Sequence, residues 1–154
     1  MRRILAIDPG TTQTAFAIWD GIRLAESAVL PNAEMLRILR QGYVPEMACE
    51  MIASYGMAVG REVFETCVWI GRFVEAHEQA GGSVRLIYRK DVKLHLCQSL
   101  RAKDANIRQA LVDRFGPPGT KKSPGPLYGA KSHIWAALAV GVYTLDTAGQ
   151  AVAQ

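Results

Sequence analysis

Ile4-Leu5-Ala6-Ile7-Asp8-Pro9-Gly10 is the stretch from which the rest of the chain can be read. Its first four residues are apolar and rich in branched side chains, the composition of a short buried strand, and Pro-Gly behind them marks a tight turn. Asp8 therefore falls where a buried strand runs out into a loop. A carboxylate in that position must be paired, hydrated or metal-bound, because burying it bare is very costly. A plainer role is open to it as well, since Asp before Pro-Gly is a good residue for opening a turn.

Outward from this strand the pattern stays regular. Residues 14–19 read as a second strand, Asp20-Gly21 as a hairpin signal and residues 22–30 as a third strand, so the chain opens with an antiparallel meander. Pro31-Asn32 starts a helix through about Arg40. Residues 46–52 place Met47, Ala48, Cys49, Met51 and Ile52 around Glu50 and read as a central strand. Residues 60–80 form a long amphipathic helix with Val63, Cys67, Ile70 and Val74 as its apolar stripe, ended by Gly81-Gly82. Residues 84–88 are a fifth strand. Two short helices (91–100 and 104–115), a Pro-, Gly- and Lys-rich loop (116–126) and a final helix (131–146) complete the order. In that last helix Ile134, Leu138, Val142 and Leu145 face inward. A meander followed by strand–helix units predicts an α/β fold with a five-stranded mixed sheet and helices on both faces. No repeat or linker divides the 154 residues, which are expected to form one domain with a frayed tail from 147 to 154.

Composition excludes some classes and leaves others open. With 49% hydrophobic and 21% charged residues the chain can build a core and does not read as disordered. A net charge of +4 suits a nucleic-acid partner without demanding one. Cys49, Cys67 and Cys97 are odd in number and widely spaced, so neither a disulfide framework nor a Cys-x-x-Cys metal site is present. Buried free thiols point to a reducing cytoplasm. The apolar run before Asp8 is too short for a signal peptide, and residues 134–143 are too few to span a bilayer. A soluble protein is expected.

Two further residues join Asp8. Glu50 lies inside an apolar strand that its own β-propensity disfavours, and a Glu there is rarely buried without a partner. The alternative is an outward-facing Glu on a half-exposed strand. Glu46 shares its face but lies nearer the strand start and reads as solvated. His133 opens the strongly apolar last helix, where a hydrogen-bonded structural His is the ordinary role and a ligand the other. Together, acids from two central strands and a side chain from a helix start make the donor set for a hard cation such as Mg²⁺. A pair of such ions about 4 Å apart activates water and stabilises the leaving oxygen in phosphodiester hydrolysis. The condition is that strands one and four are neighbours.

At these residues the chain resembles a known family. Residues 4–10 resemble the opening of RuvC-type Holliday-junction resolvases, and Glu50 resembles their second acid. Lys131-Ser132-His133-Ile134-Trp135-Ala136-Ala137-Leu138-Ala139-Val140 resembles their final catalytic helix, and the length resembles the compact, phage-type members. The resemblance implies a ribonuclease H-like fold and a crossover-junction endodeoxyribonuclease dependent on Mg²⁺ or Mn²⁺, with two ions. It implies Asp8, Glu50 and His133 as catalytic metal ligands and Lys103 beside the scissile phosphate. Its partners would be branched DNA and a second copy of the chain, since paired cuts call for a twofold dimer, with no small-molecule cofactor and no membrane. A bacterial or phage-infected cytoplasm is the implied setting. The family's third acid falls on His133, a residue some members use, and its fourth falls on Ala136, which holds no metal. Asp104 or a water is left to compensate. Asp146 lies about 20 Å further along the helix from His133 and is a poor substitute.

The DNA surface is read from charge. Lys90, Lys93, Arg101, Lys103 and Arg108 cluster after the fifth strand, Lys121 and Lys122 sit in the Gly/Pro loop, and Lys131 lies beside His133. Such side chains neutralise phosphates, although a solvated basic face looks the same in sequence. Tyr55, shortly after Glu50, is placed either to stack on an opened base or to pack within its loop. Three rivals share the opening motif or the fold. An actin-like or sugar-kinase ATPase would need a second Gly-rich phosphate loop, and none is found. A ribosomal-RNA-processing nuclease fits the long central helix and residues 135–140 less well. A non-catalytic DNA-binding protein of the same fold is favoured by Ala136.

Overall fold

β1 (Ile4–Asp8) is the central strand that its unbroken apolar run requires. Around it the computed structural model, which describes residues 2–149, builds a five-stranded sheet in the order β3-β2-β1-β4-β5. β2 (Gln13–Trp19) and β3 (Leu24–Pro31) form the antiparallel meander. The turn between them is held by Asp20, whose Oδ1 accepts hydrogen bonds from the backbone N–H groups of Ile22 and Arg23 at 2.8 Å. That turn delays β3, which starts two residues later than the apolar pattern suggested. β4 (Glu46–Met51) runs parallel to β1, and β5 (Ser83–Tyr88) runs parallel to β4. Strands one and four are thus neighbours.

Side-chain alternation divides the core into two layers. Leu5, Ile7, Phe16, Ile18, Met47 and Cys49 point to α1 (Asn32–Arg40) and α2 (Arg61–Gln79). Ile4, Ala6, Ala17, Ala48 and Ile87 point to α3 (Arg89–Cys97), α4 (Asp104–Phe115) and α5 (Ile134–Asp146). Continuing the alternation by one step from Ala6 and Ala48 puts Asp8 and Glu50 on the α5 side. The small residues on this face let α5 lie close to the sheet. A Cβ on Gly141 would sit 3.3 Å from the Cβ atoms of both Ala6 and Trp19. α5 is buried on nearly every side, as its almost wholly apolar sequence requires.

Several sequence expectations are corrected. On α2 the buried residues are Thr66, Ile70, Phe73, Ala76 and His77, while Val63, Cys67 and Val74 are only half-buried. The helix packs on its 66/70/73/77 face, which leaves Phe64 and Val68 in solvent. α3 starts at Arg89 and stops at Cys97 because Gln98 adopts a left-handed conformation with φ +53°. α5 starts at Ile134 because Ser132, at φ +49°, breaks the helical path and makes His133 the cap. Thr147 is buried and anchors Arg85 through its Oγ1, so the expected tail does not begin there. Residues 150–154 of that tail lie outside the described residues. Cys49 is buried and Cys67 and Cys97 are half-buried, all three as free thiols. No helix among the described residues is long and apolar enough to cross a membrane.

Candidate functional site

Parallel pairing of β1 and β4 matches Ile7 with Cys49, so the next residues of the two strands, Asp8 and Glu50, emerge side by side at their C-terminal ends. Both carboxylates are largely buried, with side chains 16% and 14% exposed. The loop after Asp8 is pinned from beneath. Buried Asn32, the first residue of α1, donates from Nδ2 to the Gly10 carbonyl at 2.9 Å and accepts from Thr14 Oγ1 at 2.6 Å. Gly10 is required in that loop, because a Cβ there would lie 2.6 Å from the Gln13 carbonyl oxygen. Opposite the loop, His133 caps α5 and brings its Nδ1 to 3.4 Å from Asp8 Oδ2. Asp8, the 9–13 loop and His133 line an open cleft of about 260 Å³.

The electrostatics of this edge are unusual. Burial, followed by the adjacent Glu50 carboxylate, pushes the Asp8 carboxyl far above the ordinary range, and Arg89 offsets only part of that. Arg89 stands one residue beyond β5, at the start of α3. Its Nη1 donates to Glu50 Oε1 at 3.2 Å and its Nη2 to Asp104 Oδ1, so one guanidinium joins a buried acid to an exposed one. The cluster holds three carboxyl groups against one permanent cation.

This donor chemistry fits a hard divalent ion. Two largely buried carboxyl groups meet at adjacent strand ends with an imidazole beside them, an oxygen- and nitrogen-donor set of the kind such an ion takes. Among the described residues, no three acid, His or Cys side chains stand as a ready-made ligand cage. Asp8 is turned toward His133, whereas Glu50 is turned onto Arg89.

The predicted DNA-contacting residues divide by position. Lys103 caps α4 beside Asp104, Lys90 follows Arg89, and Lys131 precedes His133, so these three share the Asp8 end of the sheet and are exposed. Arg108 is exposed over the ring of Trp135, in the first turn of α5. Tyr55 is 57% exposed in the loop leaving β4, at φ +51°. Lys93 is half-buried along α3, and Arg101 lies exposed on the α3–α4 connection. Lys121 and Lys122 are not brought to the cluster by the anchors of their loop. Phe115 before it stacks edge-on against Trp19, and Pro126 after it accepts from the Leu24 N–H, both at the end of the sheet away from Asp8. Glu46 also lies at that far end, paired with Arg2 at 2.6 Å. Asp146 is equally remote, held by Arg114 and His95.

Sequence reasoning missed two residues of this site. Arg89 follows an apolar strand just as Asp8 does, and that position was its signal. Asn32 read only as a helix start, and nothing local marks it as the clamp of a loop more than twenty residues before it.

No family model matches the chain, and no curated protein matches its sequence. Solved structures do match its fold. One is a Thermus thermophilus RuvC structure, with a TM-score of 0.71 and 20% identity over 96% of this chain and 96% of that one. Another is T. thermophilus RuvC in complex with Holliday junction substrate, with a TM-score of 0.73 and 19% identity over 97% of this chain and 96% of that one. The fold is therefore the ribonuclease H-like, RuvC-type architecture.

Proposed function

We propose that this chain is a metal-dependent endonuclease that hydrolyses DNA at four-way or otherwise branched junctions. The observation that carries the proposal is the Asp8–Glu50 pair: two buried carboxyl groups at adjacent strand ends, beside an open cleft and a His-capped helix, on a fold shared with a protein solved on Holliday junction substrate.

Asp8 and Glu50 would hold Mg²⁺ or Mn²⁺, with His133 completing the ligand set. When bound, such ions offset charge on the phosphate and make water a competent nucleophile near neutral pH. Glu50 would orient the attacking water, whose oxygen bonds to phosphorus as the P–O bond to the leaving oxygen breaks; the proton the water loses passes to solvent, and the leaving oxygen takes one from solvent. His133, exposed at the rim of the cleft, positions that water or completes the ligand set. Lys103 lies at the same end of the sheet, where an ammonium offsets the charge that builds on the phosphate oxygens. Lys90, Lys131, Arg108 and Tyr55 flank the same edge and supply phosphate neutralisation and a base-stacking surface. Paired cuts need two such centres, and α2 offers a self-association face in exposed Phe64 and Val68, one turn apart.

The test is a synthetic four-way junction against a linear duplex of the same sequence, each with Mg²⁺ or Mn²⁺. Cleavage of the junction in preference to the duplex is expected. Ala136 favours a second reading, since it places no donor one turn into α5 where the family resemblance sets its fourth acid. Tight junction binding with no cleavage under either ion would establish that reading, a non-catalytic junction-binding protein, in place of the first.

A further inference from the structure

The guanidinium of Arg89 is hydrogen-bonded to Glu50, one of the two buried acids at the strand ends. Parallel pairing of β4 with β5 sets Glu50 beside Ile87 and Met51 beside Tyr88, so the first residue after β5 emerges next to Glu50. Tyr88 is still extended, at φ −89° and ψ 141°, and Arg89 opens α3 with its side chain 31% exposed. Its fork reaches two acids of opposite character, since the Glu50 side chain is 14% exposed and that of Asp104 is 82% exposed. A rigid, permanently charged fork is suited to hold two carboxylates at once. The bond on the Glu50 side forms where water screens little and the bond on the Asp104 side where water screens strongly.

We propose that Arg89 is a built-in placeholder for the metal: it neutralises Glu50 in the metal-free protein, competes with the incoming cation, and is drawn aside by Asp104 when Glu50 becomes a ligand. This rests on the reading of Asp8 and Glu50 as the metal-binding pair. Arg89 keeps two adjacent buried acids tolerable without metal, and so raises the metal concentration the site needs. Asp104 provides a second anchor in solvent, so the guanidinium leaves Glu50 without having to be solvated anew. It thereby compensates the absent fourth acid indirectly, by holding a competitor rather than by reaching the metal.

A purely structural Arg89, one that holds Glu50 in its ligating pose, makes the opposite prediction for metal affinity. The two are separated by titrating Mn²⁺ calorimetrically, without DNA, into the wild-type chain and into Arg89→Gln, Asp104→Asn, the double variant and Asp8→Asn. Melting temperatures with and without Mn²⁺ are measured in parallel. The placeholder predicts that Arg89→Gln melts lower without Mn²⁺, binds the ion about tenfold more tightly, and gains more thermal stability from it than wild type does. It also predicts that Asp104→Asn weakens binding several-fold when Arg89 is present and has no effect in the Arg89→Gln background.

Unchanged or weaker binding by folded Arg89→Gln, with wild-type binding intact and lost in Asp8→Asn, overturns the placeholder and leaves the metal site standing. An equal loss from Asp104→Asn in both backgrounds overturns the parking role and makes Asp104 a ligand. Should Arg89→Gln not fold, Arg89→Lys takes its place. With a flexible single ammonium that cannot bridge both acids, it is predicted to uncouple Asp104→Asn from metal affinity, and persistent coupling overturns the proposal. Binding by neither wild type nor Arg89→Gln overturns the metal reading together with the placeholder.

Discussion

At the scale of single residues, Asp8 and Glu50 were legible because each breaks an apolar run, and an ionisable group in such a run must have a reason to be there. Their partnership was not legible, since it depends on the parallel register that sets Ile7 beside Cys49. Arg89 carried only the signal of its place after an apolar strand, and its partner was hidden for the same reason. In sequence it is one basic residue among several after the fifth strand, and only the β4–β5 register turns it onto Glu50. Ala136 supplies a prediction at this scale. It is half-buried on the first turn of α5, three residues past His133 and on the same side of the helix. Ala136→Asp adds a carboxylate where the helix start faces Asp8, and Mn²⁺ binding measured by calorimetry should tighten about tenfold. Unaltered affinity would show that this turn does not reach the ion.

At the scale of elements, the order of strands and helices was legible throughout, while several boundaries and one helix face were not. The 3.6-residue period of α2 admits two neighbouring stripes, and the choice of the 66/70/73/77 side follows from its packing on the sheet and α1, which no local pattern encodes. Of the inward stripe read on α5, Ile134, Leu138 and Val142 are buried and Leu145 is half-buried, while Ala137, Ala139, Val140 and Gly141 are buried as well; the closeness of this helix to the sheet gives a second prediction. Gly141→Val forces a branched side chain against Ala6 and Trp19 at a distance where neither backbone can yield easily, and chemical denaturation should show a loss of about 1–3 kcal/mol. Wild-type stability would contradict the packing.

The other end of α5 yields a pH prediction. Burial alone would raise the Asp146 carboxyl, but hydrogen bonds from Arg114 and His95 outweigh it and hold the group below its ordinary value of 3.8. A carboxyl depressed in the folded state stabilises fully above its unfolded value and loses that contribution as pH falls through the folded one. The window therefore lies below about pH 4. Asp146→Asn should cost about 1–2 kcal/mol at pH 7, and its deficit relative to wild type should shrink as acid denaturation is followed below pH 4. A deficit that stays constant down to pH 2 would contradict the assignment.

At the scale of the whole molecule, the fold places its chemistry at one end. The strands β1 and β4 deliver the acids, α5 delivers His133, and α3 and α4 deliver Arg89 and Asp104 to the same edge. The basic residues that remain near this edge mark the side proposed to face DNA, and the anchors of the 116–126 loop lie at the opposite end. Sequence charge could not separate those two groups, because the sorting is done by long-range anchors such as Phe115 on Trp19 and Pro126 on Leu24. The exposed α2 stripe carries the prediction for assembly. Phe64→Glu combined with Val68→Glu should leave the chain folded but monomeric by sedimentation, with single nicks replacing paired cuts on a junction. A dimer that survives both charges would place the interface elsewhere.

The most direct measurement is junction cleavage by wild type, Asp8→Asn and Glu50→Gln side by side, with binding followed in the same samples by gel shift. Mg²⁺- or Mn²⁺-dependent cleavage by wild type is expected, falling at least about a hundredfold in each variant while junction binding persists. Cleavage that survives Asp8→Asn at close to the wild-type rate would contradict the placement of the active centre at the ends of β1 and β4.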